Sequence, residues 1–189
     1  DFTISGLESG TRYEFRVSAD CGSTVSDPRP IALATMCDPL TLPYYENFDN
    51  MAAYSTGDGT DMIGGAPLCW NVLGHTGSYI ALYSTAAYLY GGSGYSIKFK
   101  SGTANTPNYL ILPNFEMNIS NLELAFQTRP EGTSASAGAF EVGYMTNPLI
   151  DTTFVAVEHY SYDDFSGAYE QRIVTFPEAP DGARIAMNR

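Results

Sequence analysis

Apolar and polar residues alternate one by one along much of this chain. Tyr13-Glu14-Phe15-Arg16-Val17, Tyr95-Ser96-Ile97-Lys98-Phe99-Lys100 and Leu122-Glu123-Leu124-Ala125-Phe126-Gln127 each turn every second side chain to one face. That is the period of a half-buried strand. Tyr109-Leu110-Ile111-Leu112 and Phe154-Val155-Ala156-Val157 are unbroken apolar runs, which fit strands covered on both faces. Between the runs stand turn clusters at Gly57-Asp58-Gly59, Gly91-Gly92-Ser93-Gly94 and Asp181-Gly182. Short strands recurring with turns between them, and no helical period, predict an all-β fold of packed antiparallel sheets.

Composition narrows the function classes. The 189 residues carry nine Lys+Arg against 21 Asp+Glu, a formal charge of −12. Because the basic residues are scattered, nucleic acid is not expected as a partner. No apolar stretch approaches the roughly 18–20 residues of a membrane-crossing helix. Fourteen Tyr and ten Phe supply enough apolar surface to exclude a disordered chain.

Little in the sequence points to catalytic chemistry. The two histidines, His75 and His159, cannot build a His-rich metal centre, and no nucleophile elbow, phosphate loop or H-E-x-x-H helix occurs. Asp163-Asp164 reads as a solvated turn rather than a glycosidase pair, since neighbouring strand residues point to opposite faces. Enzyme activity is not expected. The aromatic inventory offers a binding surface instead: Tyr79, Tyr83, Tyr88 and Tyr90 crowd one segment, and Tyr160 and Tyr162 another. Exposed rings of this kind stack on sugars or anchor protein interfaces, whereas half-buried ones serve packing.

Two stretches carry a family resemblance. Gly6-Leu7-Glu8-Ser9-Gly10-Thr11-Arg12-Tyr13-Glu14-Phe15-Arg16-Val17 resembles the E strand, corner and F strand of a fibronectin type III domain. In such a domain Leu7 would plug the corner, Gly10 would permit the turn, and the Tyr13 hydroxyl would bond back to upstream backbone. The resemblance implies that residues 1–36 are strands E to G of a sandwich whose first four strands precede Asp1, so the chain is expected to belong to a longer multidomain protein. Asp38-Pro39-Leu40-Thr41-Leu42-Pro43 reads as an extended connector.

The second stretch spans 37–189. Leu42-Pro43-Tyr44-Tyr45-Glu46-Asn47-Phe48-Asp49, Pro67-Leu68-Cys69-Trp70, Gly94-Tyr95-Ser96-Ile97-Lys98-Phe99, Tyr109-Leu110-Ile111-Leu112-Pro113 and Phe140-Glu141-Val142-Gly143-Tyr144-Met145-Thr146-Asn147-Pro148 follow in order. They are similar to the MAM-like, cleaved-adhesin jelly rolls of Bacteroidetes surface proteins, related to gingipain adhesin domains. That resemblance implies a non-catalytic adhesion module, secreted or on the bacterial cell surface, which binds carbohydrate or a host protein. Its alternatives are a structural spacer, or an accessory region of a surface peptidase or hydrolase whose catalytic domain lies elsewhere. It also implies one or two further strands after Arg189.

Two site expectations come with the family. Jelly rolls of this type often hold structural calcium, which takes six to eight oxygens. Glu46 and Asp49 occupy the acidic positions of the first strand, with Asp58 and Asp61 as further donors; a solvated acidic turn is the alternative. An exported chain with three cysteines suggests one disulfide and one leftover thiol. Cys21 sits at a hairpin tip and Cys37 about six residues of strand away, roughly 20 Å, while bridged Cα atoms lie within about 7 Å. The expected pair is therefore Cys37–Cys69, with free thiols throughout as the alternative. Asn118-Ile119-Ser120 fits an N-glycosylation acceptor, and Asp151-Thr152-Thr153 resembles a Bacteroidetes O-glycosylation acceptor.

Overall fold

The computed structural model describes residues 3–49, 69–73, 79–83, 85–100, 107–131 and 140–189. The chain is all-β: among these residues regular structure consists of eleven strands and short 3-10 turns. No described helix is long and apolar enough to cross a membrane. Backbone contacts divide the chain into two compact units, Asp1–Pro39 and Leu40–Arg189.

The smaller unit is an antiparallel hairpin. Strand β1, Arg12–Val17, pairs with β2, Arg29–Ala34, with Tyr13 opposite Leu33 and Phe15 opposite Ile31. The Tyr13 and Phe15 rings lie tilted on one face with centroids 6.2 Å apart, while the Arg16 Nε donates to Glu14 on the other at 2.6 Å. At the corner before β1 the Glu8 N–H donates to the Tyr13 hydroxyl at 2.9 Å. Gly10 makes this turn at φ 60°, a left-handed conformation that a Cβ disfavours. The Thr35 hydroxyl closes the other side, donating to the Glu8 carbonyl at 2.6 Å and accepting from the Thr11 N–H at 2.8 Å.

The larger unit is sandwich-like. One layer is a five-stranded antiparallel sheet in the order β3 (Asn71–Leu73), β6 (Tyr109–Ile111), β11 (Arg184–Asn188), β8 (Phe140–Met145), β9 (Phe154–Tyr160). Its partner layer holds two strand pairs: β4 (Tyr79–Tyr83) with β5 (Ser96–Lys100), and β7 (Glu123–Thr128) with β10 (Glu170–Thr175). The two-residue period decides what goes inside. Val142, Tyr144, Ile185 and Met187 face Val174 and Phe176 across the main core, with Leu124 and Phe126 packed on it. Leu110 meets Ile80 beneath β4 and β5. The opposite face of the five-stranded sheet is apolar too, with Ile111, Met145 and Ala186 fully buried. This explains the unbroken run Tyr109-Leu110-Ile111-Leu112, which is buried on both faces; the run Phe154-Val155-Ala156-Val157 departs from that expectation, because it lies on the edge strand β9 and leaves Val155 and Ala156 exposed.

Two local features fix the sheet. Strand β11, the last apolar run of the sequence, pairs on both edges, with β6 and with β8. Between Val142 and Gly143 the β8–β9 register slips. A Cβ on Gly143 would sit 2.0 Å from the Val155 carbonyl oxygen, so only glycine allows the strands this close.

Candidate functional site

The segment joining β4 to β5 carries the most concentrated surface chemistry among the described residues. Two 3-10 turns, Ala86–Tyr88 and Tyr90–Gly92, joined by Leu89, replace a tight hairpin turn here, and Gly91 inside the second takes φ 74°. These turns anchor through Leu89, which is buried, while Tyr90 on the next position is 60% exposed.

Four tyrosines and two cations gather around that segment. Tyr83, at the end of β4, lies 5.8 Å from the Tyr88 ring. Tyr169 precedes β10, meets Tyr90 edge to face at 5.5 Å, and donates its hydroxyl to the Tyr88 carbonyl at 2.7 Å. Arg129 follows β7, and its guanidinium stands 5.5 Å from the Tyr88 ring and 5.8 Å from the Tyr169 ring. Its Nη1 donates to the Ala87 carbonyl at 3.1 Å. Lys98, on β5, lies 4.6 Å over the Tyr83 ring and pairs with Glu131. Strand pairing explains the convergence: Glu170 is opposite Thr128, so Tyr169 and Arg129 emerge together from the end of β7–β10.

The expected ring set is thus split. Tyr83, Tyr88 and Tyr90 come together; the side chain of Tyr79 lies outside the described residues. Tyr160 belongs elsewhere. It stacks on Phe140 at 6.3 Å, packs on the main core, and has the Arg172 guanidinium 5.3 Å above it. Burial, with the Glu158 charge adding to it, raises the Tyr160 hydroxyl pKa, and Arg172 opposes the shift. Tyr162 is half-buried in the 3-10 turn Tyr162–Asp164. Tyr169, Arg129 and Lys98 are additions that sequence reasoning missed.

A second node surrounds Trp70. Its indole N–H donates to the Tyr44 hydroxyl at 2.9 Å, and Phe48 packs edge-on at 5.9 Å. Burial is the main cause raising the Tyr44 hydroxyl pKa. Phe48 and Cys69 both adopt positive φ, 61° and 74°, a costly conformation for side chains of this size. Arg184 crosses below the node. It donates to the carbonyls of Leu112 (2.8 Å) and Cys69 (3.2 Å), and burial lowers its pKa. Cys37 and Cys69 are disulfide-bonded, and Cys21 is a free, exposed thiol.

Of the four carboxylates expected to hold calcium, Asp58 and Asp61 lie outside the described residues. Glu46 accepts from the Phe48 N–H at 2.6 Å and from the Tyr44 hydroxyl at 3.4 Å. Asp49 accepts from the Asn47 amide at 2.7 Å, and its other oxygen packs against Gly94. Each accepts a hydrogen bond from a residue two positions away, and no group of three or more His, Cys, Asp or Glu gathers as a metal centre among the described residues. These two carboxylates alone do not make up a calcium donor set.

Both modification acceptors sit in structured turns. The Asn118 side-chain oxygen accepts from the Ser120 N–H at 3.0 Å, and its amide nitrogen donates to Asp181. Thr152 is exposed, and its N–H donates to Asp151 at 2.7 Å. Comparison with family models, with curated proteins and with solved structures finds no match for this chain.

Proposed function

We propose that this chain is a non-catalytic binding module of a secreted or cell-surface multidomain protein, and that its ligand is a carbohydrate. One observation carries the reading: Tyr83 pairs with Tyr88 and Tyr90 with Tyr169, the Arg129 guanidinium stands over both Tyr88 and Tyr169, and Tyr90 is 60% exposed. Ring faces offered on turns and held by their neighbours give a sugar a stacking platform without ordering cost at the moment of binding. The two 3-10 turns give these rings a fixed backbone, and Tyr169 is tied down through its own hydroxyl.

The family reading belongs to the same proposal. A tyrosine whose hydroxyl accepts from the backbone five residues upstream supports a fibronectin type III corner in residues 1–36. Two apolar layers of antiparallel strands support a MAM-like jelly roll in residues 37–189.

A screen of immobilised glycans and extracellular-matrix proteins tests the function. Binding to glycans that Tyr90→Ala weakens by about tenfold, from the loss of one stacked ring at roughly 1–1.5 kcal/mol, supports it. Binding to matrix proteins alone, or glycan binding indifferent to Tyr90→Ala, refutes it.

A further inference from the structure

Among the described residues, the cations that stand over tyrosine rings differ in what neutralises them. Lys98 pairs with Glu131, and Arg172 pairs with Glu170 at 2.9 Å. Arg129 has no carboxylate partner among the described residues, in a chain where acidic residues outnumber basic ones 21 to nine. Its contacts are neutral: the rings of Tyr88 and Tyr169, the Ala87 carbonyl at 3.1 Å through Nη1, and the Pro130 carbonyl at 3.5 Å through Nε. Arg184 likewise answers only carbonyls among the described residues, but it does so between β3, β6 and β11, where it serves the fold.

Those contacts hold the guanidinium, and none of them, among the described residues, answers its charge. Aromatic faces and carbonyl groups orient a planar cation, and they use one N–H of Nη1 and the Nε–H. Nη2 and the second N–H of Nη1, which share one edge of the fork, have no hydrogen-bond partner among the described residues. A guanidinium edge of this kind matches a carboxylate in plane, and a charge-assisted pair is about twice as strong as a neutral hydrogen bond. Tyr90, exposed and packed edge to face on the same Tyr169 ring that Arg129 faces, supplies the apolar half of such a site.

We propose that Arg129 makes this a site for acidic saccharides, sugars bearing a carboxylate, with the sugar ring on Tyr90 and the carboxylate on the Arg129 guanidinium. The inference rests on the carbohydrate reading above and adds the ligand's charge to it. The −12 charge of the chain repels an anion at long range, so recognition depends on short-range pairing at Arg129.

The test uses the full chain on an array of backbone-matched neutral, uronate- or sialate-bearing and sulfated glycans, followed by titration of the best binders against Arg129→Gln, Arg129→Lys and Tyr90→Ala. The expected result is a preference for carboxylated glycans that weakens with added salt. Arg129→Gln lowers that affinity about tenfold or more, the scale of one charged hydrogen bond, and lowers the affinity for matched neutral glycans by a smaller factor. Arg129→Lys keeps part of the preference, which separates lost charge from a disturbed turn, and unchanged circular dichroism and Tm confirm that each variant is folded. Equal binding of neutral and acidic glycans, a sulfate preference, or carboxylate binding indifferent to Arg129→Gln overturns the inference. If neutral glycans bind and Tyr90→Ala abolishes that binding, the carbohydrate reading stands without the charge selectivity. If no glycan binds, both fall.

Discussion

Strands β1 and β7 alternate in the same way, yet their apolar residues meet different fates. In β7, Leu124 and Phe126 pack on a core that contains Phe176 and Val142, both fully buried. In β1, Tyr13 and Phe15 are half-buried, Val17 is 60% exposed, and Ile31 on the partner strand is 49% exposed. No described side chain in residues 3–39 is buried. The hairpin unit relies on polar closure instead: Tyr13 hydroxyl to Glu8, Thr35 to Glu8 and Thr11, and Ser9 accepting from the Asp38 N–H at 2.6 Å. An alternating pattern therefore specifies a strand and its two faces, while stability depends on what covers the apolar one. Hydrogen bonds exchanged against water contribute about 1 kcal/mol each, whereas a buried aromatic contributes several.

The sharpest way to break this comparison is a matched pair of deletions. Phe176→Ala empties a fully buried position and is expected to cost about 3–5 kcal/mol, seen as a lower denaturation midpoint for the larger unit. Phe15→Ala, on the uncovered hairpin face, is expected to cost less than about 1 kcal/mol, because little area is lost from burial. Equal losses from the two variants would mean that the hairpin face is covered in solution, and the contrast would be gone.

Local pattern carried much of the architecture. The strands around Tyr13–Val17, Ser96–Lys100 and Glu123–Thr128 follow directly from two-residue alternation. The apolar run at Tyr109 marks an inner strand of the sheet with both faces covered, whereas the run at Phe154 forms the edge strand, where Val155 is 44% exposed. The Tyr13–Glu8 bond was legible because its geometry is local, five residues apart along one chain segment. The tyrosine group was legible only in part. Tyr83, Tyr88 and Tyr90 share eight residues of sequence, but Tyr169 and Arg129 join them through the pairing of β7 with β10. Register between strands some forty residues apart is set by tertiary packing and is not written in any short window. The positive φ of Phe48 and Cys69 was equally hidden, since neither residue type signals that conformation.

A smaller effect sharpens the polar side of the comparison. Tyr13→Phe keeps the ring and removes only the acceptor for the Glu8 N–H. It is expected to cost the hairpin unit about 1 kcal/mol, with faster hydrogen exchange at the Glu8 amide and an unchanged Tm for the larger unit. Exchange at Glu8 that stays as slow as before would show that this bond does not hold the corner.

The larger unit has an exposed polar closure of its own, which gives the smallest predicted effect and a pH dependence. In the turn Ser161–Asp164, the Ser161 N–H donates to the Asp164 carboxylate at 2.6 Å and the Ser161 hydroxyl donates at 2.8 Å. These bonds, chiefly that from the hydroxyl, hold the Asp164 pKa below its ordinary value of 3.8, and the Arg172 charge adds to the effect. A carboxyl depressed by folding binds fewer protons in the native than in the unfolded chain. Its contribution is complete above the ordinary carboxylate range and fades as pH falls through the lower, folded value. Asp164→Asn, which carries no charge to titrate, is therefore expected to lower Tm slightly at neutral pH, with the difference from the native chain vanishing in acid. A difference constant with pH would mean that the closure of this turn depends on the shape of the side chain and not on its charge.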